Sequence, residues 1–170
     1  METNFLFMAL AALVPLVTGF LWYGPLLFQK AWMKQLGFTE ESLKGGNMAV
    51  IFILCYVLSF MLAFFLQSVT IHQVGAYGSM MESGAMELSG EALENFKEFM
   101  SAYGDNYRTF KHGALHGAMT GVFMILPVLA IQAMFERKSF KYVAINAGYW
   151  ILTVALMGGI VCQWGVDFTL

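Results

Sequence analysis

The chain has 170 residues, of which 59% are hydrophobic and only 12% charged, and its formal net charge is −2. A soluble domain is nearer to about 45–50% apolar and about 25% charged, and one of this size cannot hide so much apolar surface from water. The composition therefore speaks against a soluble enzyme, a disordered tail or a disulfide scaffold, and it offers no basic patch for nucleic acid; the partner it implies is the lipid bilayer.

Four stretches contain no Asp, Glu, Lys or Arg: Thr3–Gln29, Gly45–Met81, His112–Phe135 and Tyr142–Val166. Each can supply the ~20 apolar residues that a membrane-spanning helix needs. Spans are expected near 5–27, 49–71, 112–135 and 143–165. The fold class is all-α, an integral membrane four-helix bundle that satisfies its backbone hydrogen bonds inside each helix. Residues 1–170 read as a single membrane domain. The first stretch follows Met1–Glu2 with no basic residues and is longer than a signal-peptide core, so an uncleaved helix is expected.

After the first span, Gly24–Pro25 breaks or restarts the helix. Phe28, Trp32 and Leu36 then recur every fourth residue, with Lys30 and Lys34 off that line. This predicts a short interfacial helix with its aromatics at headgroup level. Gly37 should end it, and Thr39 should cap a further short turn before Gly45–Gly46.

The long loop 72–111 has two parts. Residues 73–90 are rich in Gly, Ser and Met and read as irregular. Residues 91–107 read as an amphipathic helix. Leu93, Phe96, Phe99, Met100, Tyr103 and Tyr107 share one face, and Glu91, Glu94, Glu98 and Asp105 fall mainly on another. An acidic face gains little from anionic lipid, so this helix is expected to cap the mouth of the bundle.

The third span carries the most informative pattern. Gly113, Gly117 and Gly121 stack on one face at a spacing of four. Small residues at that spacing, a glycine zipper, let a second backbone approach closely, within the bundle or across a dimer. His112, His116 and Thr120 form a parallel polar stripe, and His72 closes the second span at the same end. An i, i+4 histidine pair can share one metal, with a third ligand from His72, Asp105 or Asp167. No HExxH glutamate follows, so zinc hydrolysis has no evident base. Two other readings stand beside the metal. In one, His112 sits at the headgroup boundary while His116 hydrogen-bonds across helices. In the other, the stripe handles a proton or solute, since histidine titrates near neutral pH and ionisable residues within spans are functional candidates.

At the opposite end, Gln132 and Asn146 could meet across the second hairpin as interhelical glue. Cys55 and Cys162 fall in different spans at different depths and are not expected to pair. The 13 methionines are scattered, which suits packing and lipid contact. Pro15 before Phe28-Gln29-Lys30 and Pro127 before Phe135-Glu136-Arg137 give the two hairpins a faint likeness too short to establish a duplication. No Walker loop, GxSxG or Rossmann glycine pattern occurs, so no enzyme class is indicated.

Orientation follows from the basic residues. Lys30, Lys34, Lys44, Arg137, Lys138 and Lys141 mark two loops on one side, six of nine basic residues. Both termini and the 72–111 loop lie on the other, with Glu2, Glu82, Glu87, Glu91, Glu94, Glu98, Asp105 and Asp167, eight of eleven acids. The expectation is N-out and C-out.

Trp22-Tyr23-Gly24-Pro25, Phe28 and Trp32-Met33-Lys34 resemble the first-hairpin signature of domain-of-unknown-function family 1761, small polytopic bacterial membrane proteins. His112-Gly113-Ala114-Leu115-His116-Gly117, Phe135-Glu136, Asn146-Ala147-Gly148-Tyr149-Trp150 and Met157-Gly158 resemble its second half. The 73–100 segment stands outside the likeness. The resemblance implies a polytopic helical protein of the bacterial plasma membrane and no particular activity or cofactor. The reading that follows is a non-enzymatic membrane module handling a small solute or ion as a homo-oligomer. Its alternatives are a metal-binding protein using His72, His112 and His116 at the outer face, and a scaffold subunit of a membrane complex.

Overall fold

The computed structural model describes residues 1–168. Four helices are long and apolar enough to cross a membrane: α1 (Phe5–Trp22), α3 (Met48–Thr70), α6 (Phe110–Phe135) and α7 (Phe140–Trp164). Shorter helices α2 (Gln29–Leu36), α4 (His72–Met80) and α5 (Gly90–Tyr103) lie between them. The bundle is all-α except for β1 (Glu2–Thr3) and β2 (Val166–Asp167), which pair antiparallel with Glu2 opposite Asp167. That short ladder lies at the termini end of the bundle, opposite the loop end.

The boundaries have local causes. α1 stops at Trp22 rather than near 27, because Pro25 lacks an N–H and disfavours helix at the residue before it. α2 is the expected interfacial helix. Its Trp32 packs on Tyr23 and Phe38 at ring distances of 5.2 and 5.8 Å, and Gly37 ends it in the left-handed region at φ 71°. The Ser42 N–H donates to Thr39 Oγ1 at 3.3 Å across the turn that follows. The Asn47 side chain accepts from the Val50 N–H and starts α3.

Two features of the long loop differ from expectation. Residues 73–90 are not wholly irregular, since α4 begins at His72, directly after Ile71 breaks α3 with an extended backbone. Glycine and serine are weak helix formers, but packing overrides that preference here: Tyr77 on α4 meets the fully buried Phe96 of α5 at 5.2 Å. Helix α5 ends at Tyr103 rather than 107, and Tyr107 takes a positive φ of 62°. Phe96 also meets Phe168 at 6.0 Å, which sets α5 over the termini end.

Helix α7 is the central one: 56% of its apolar window is buried, against 28% or less in the other three. The three-glycine face of α6 lies against it. A methyl group at Gly113 would strike the Gly158 carbonyl, and one at Gly117 the Val154 carbonyl. A Cβ at Gly121 would stand 2.7 Å from Ile151 Cα. The glycine face is thus filled by α7 of the same chain. Below it, α6 widens into a π turn over Gly121–Ile125 before Pro127, which supplies no N–H to the regular ladder.

Helix α1 joins α7 through polar ties. The Thr18 and Thr153 hydroxyls are 2.8 Å apart, Tyr149 Oη donates to the Pro15 carbonyl at 2.8 Å, and Trp22 Nε1 donates to the Ile145 carbonyl at 3.0 Å. The main apolar cluster, including Met8, Leu66, Met157 and Val161, fills the termini half.

The α6–α7 seam makes a direct prediction. Gly117→Ala should destabilise the protein by about 1–3 kcal/mol, because the obstacle is backbone that cannot rotate away. Gly75→Ala on α4, where an added methyl meets nothing within 4 Å, should be neutral or slightly stabilising. Thermal unfolding in mild detergent compares the two.

Candidate functional site

The extended backbone at Ile71 interrupts the helix between α3 and His72, and the glycine face of α6 fixes His112 and His116 beside it. Thr109 caps α6 by accepting the His112 N–H, so the first histidine sits in the opening turn and the second one turn further on. His72 Nε2 and His112 Nε2 are 3.0 Å apart. One ligand atom from each of the three imidazoles lies within 4.8 Å of the other two. The ring centres of His112 and His116 are 4.4 Å apart, and that of His72 is 5.0 and 5.2 Å from them. His72 is exposed, while His112 and His116 are half-buried.

The chemistry of this triad is that of a nitrogen donor set. A tetrahedral zinc with bonds of about 2.0–2.1 Å to nitrogen holds its ligand atoms ~3.3 Å apart. The His72–His112 separation of 3.0 Å is close to that spacing, and a ring nitrogen of His116 lies within 4.8 Å of one on each of the other two. Imidazole suits zinc, copper, iron and nickel, and three protein ligands leave a tetrahedral ion one open position.

The other predicted residues divide. Thr120 is buried and donates to the His116 carbonyl at 2.9 Å, so its hydroxyl serves its own helix. Asp105 and Asp167 line a separate cleft of about 830 Å³ with Lys97, Arg108 and Gln163. Gln132 and Asn146 are not brought together. Gln132 Nε2 donates to Glu136 Oε1 on its own helix at 2.8 Å. Asn146 Oδ1 accepts from Tyr23 Oη at 2.8 Å, and its Nδ2 donates to the Tyr142 carbonyl. The amide expected to bridge α6 and α7 instead bridges α1 and α7. Both cysteines are free, Cys55 exposed and Cys162 buried.

Tyr107, expected only as part of an apolar helix face, and Gln73, which the sequence did not single out, shape the triad's surroundings. Tyr107 lays its ring 4.9 Å from His112 and 5.6 Å from His72. Gln73, next to His72, is buried and donates through Nε2 to the carbonyls of Tyr103, Gly104 and Asn106 at 2.9–3.0 Å. Arg108 donates to the Cys162 and Val166 carbonyls at 2.8 and 2.6 Å, placing a cation at the α7 C-terminus. Burial lowers its pKa, while Cys162, Asp167 and Asp105 act to raise it. Gln73 follows a histidine at a span boundary, which was a signal; the backbone of Tyr107 leaves none in the sequence. A mainly apolar cavity of about 640 Å³ lies between α1, α3 and α7, bordered by Pro15, Cys55, Ser59 and Tyr149. It shares no residue with the triad.

The model of the family described as "Protein of unknown function (DUF1761)" matches residues 6–162. No curated protein and no solved structure matches the chain.

The two amides should respond differently to mutation. Asn146→Leu leaves the Tyr23 hydroxyl without its acceptor and should cost about 1–3 kcal/mol. Gln132→Ala removes only an exposed bond within one helix and should stay within about 0.5 kcal/mol of wild type. Denaturation in detergent measures both.

Proposed function

The chain belongs to the DUF1761 family, and from that premise we propose that it is a membrane protein that binds a transition-metal ion at the termini end through His72, His112 and His116. The observation that carries this reading is the convergence of three imidazoles from two helices, with two Nε2 atoms 3.0 Å apart. The donor set is entirely nitrogen, which favours zinc, copper or nickel over calcium or magnesium. The ion is the small species that the histidine stripe handles. Thr120 is buried and donates its hydroxyl proton to the His116 carbonyl, so it offers the stripe no free donor further into the bilayer. That supports holding an ion over conducting one. The excess of basic residues in the two opposite loops supports an orientation with this end outside the cytoplasm.

Stripped protein in mild detergent, titrated with Co(II), should bind one ion per chain and develop visible ligand-field absorbance. His72→Ala and His116→Ala should each weaken binding by more than the ~10–100-fold typical of outer-shell changes. Affinity should fall as pH drops below neutrality, since each imidazole must give up its proton to ligate. Wild type that takes up no Co(II), or His116→Ala that binds as tightly as wild type, would reject the site. For orientation, an impermeant thiol reagent added to intact cells should label Ser83→Cys and spare Lys138→Cys; the reverse pattern overturns the assignment.

A further inference from the structure

Tyr107 is the one non-glycine residue near the triad with a left-handed backbone, at φ 62°. Such a conformation is uncommon for a bulky side chain and is kept only where the surroundings hold it. Here several contacts do so. The Tyr107 carbonyl accepts from the Thr109 N–H at 2.8 Å and from the Cys162 thiol at 3.4 Å. The same thiol reaches the Thr70 carbonyl at 3.2 Å, two residues before His72. On the other side of the loop, Gln73 Nε2 serves the carbonyls of Tyr103, Gly104 and Asn106. Gln73 is 2% exposed, and its Oε1 has no partner among the described residues. The two Nε2–H groups are shared among three loop carbonyls while the buried acceptor stays unpaired, so this amide is committed to the loop.

The outcome of this bracing is the position of one ring. Tyr107, 64% exposed, lies tilted toward His112 at 4.9 Å and edge-on to His72 at 5.6 Å, so its ring stands between these two imidazoles and solvent-accessible space. We propose that Tyr107 is the cover of the three-histidine site, slowing exchange of the bound metal ion, and that Gln73 and Cys162 are the positioning residues that hold it there. The inference rests on the metal-site reading above. Gln73 directly follows His72 in the chain, so the loop's latch and one ligand move as a unit. The cover's contribution is to the lifetime of the bound ion and requires no bond from the phenol to the metal.

The test is the rate at which excess EDTA strips Co(II) from the loaded full-length protein, followed by loss of visible absorbance. Tyr107→Ala should release the ion about tenfold faster, within the ~10–100-fold range of outer-shell effects. Tyr107→Phe keeps the ring and should release at the wild-type rate. Tyr107→Gly removes the ring and the backbone strain together, so it should release as fast as Tyr107→Ala while unfolding at a higher temperature. Gln73→Leu should also speed release, with the Co(II) spectrum showing whether the three ligands stay in place. If Tyr107→Ala holds and releases Co(II) as wild type does, the cover is wrong and the site stands. If wild type binds no Co(II), the site fails and the cover with it.

Discussion

Helices α6 and α7 meet at backbone contact along the glycine face, and the rest of the arrangement depends on it. Lipid gives two helices no hydrophobic reason to associate, so the gain comes from van der Waals contact at short range. Gly113 and Gly117 allow it because nothing larger fits beneath the Gly158 and Val154 carbonyls. The same contact fixes the rotation of α6 about its axis. With the glycines turned to α7, the stripe one residue before them must face sideways, and the partner it finds there is the start of α4. The histidine triad is therefore a by-product of where the glycines point.

Helix α7 is held on its other flank by different means. Between α1 and α7 the ties are hydroxyl, indole and amide bonds, from Thr18–Thr153 near the middle to Tyr23–Asn146 at the loop end. Such bonds in membrane proteins average only ~0.6 kcal/mol each. Their value is directional. Tyr149 finds an acceptor in Pro15, whose ring interrupts the α1 ladder one turn below its own carbonyl. One flank of α7 is thus set by close packing and the other by bonding direction.

Much of this could be read from residue order alone. The four charge-free runs became four long helices because charge is too costly in lipid to place by accident. Gly113, Gly117 and Gly121 marked a packing face because only contact at backbone distance needs them. His112 and His116 were visible as a pair, since i and i+4 meet on any helix. His72 was visible as a neighbour in depth only; its approach depends on the break at Ile71, which no glycine or proline announces. Helix α4 escaped detection because its stability comes from Phe96, nineteen residues beyond its last Tyr, and not from its own composition. Residue order marks Asn146 as interhelical glue but not Tyr23 as its partner, for a side chain's depth can be estimated from sequence while its azimuth cannot. The positive φ of Tyr107 is a tertiary result with no local signature.

The short β1–β2 ladder has a consequence for how the molecule comes together. It closes the chain into a loop whose first and last transmembrane helices are neighbours, bonded at one end by backbone and at the other by Tyr23 and Asn146. All three long partners of α7 precede it in the chain. During biosynthesis α1 and α3 therefore wait in the bilayer without their central support, and contacts so distant in sequence form slowly, whereas α6 and α7 are joined as a local hairpin. The triad's geometry is no exception: the stripe on α6 has no fixed bearing until α7 arrives to receive the glycines. Truncation before residue 140 would leave three spans intact and the site unbuilt.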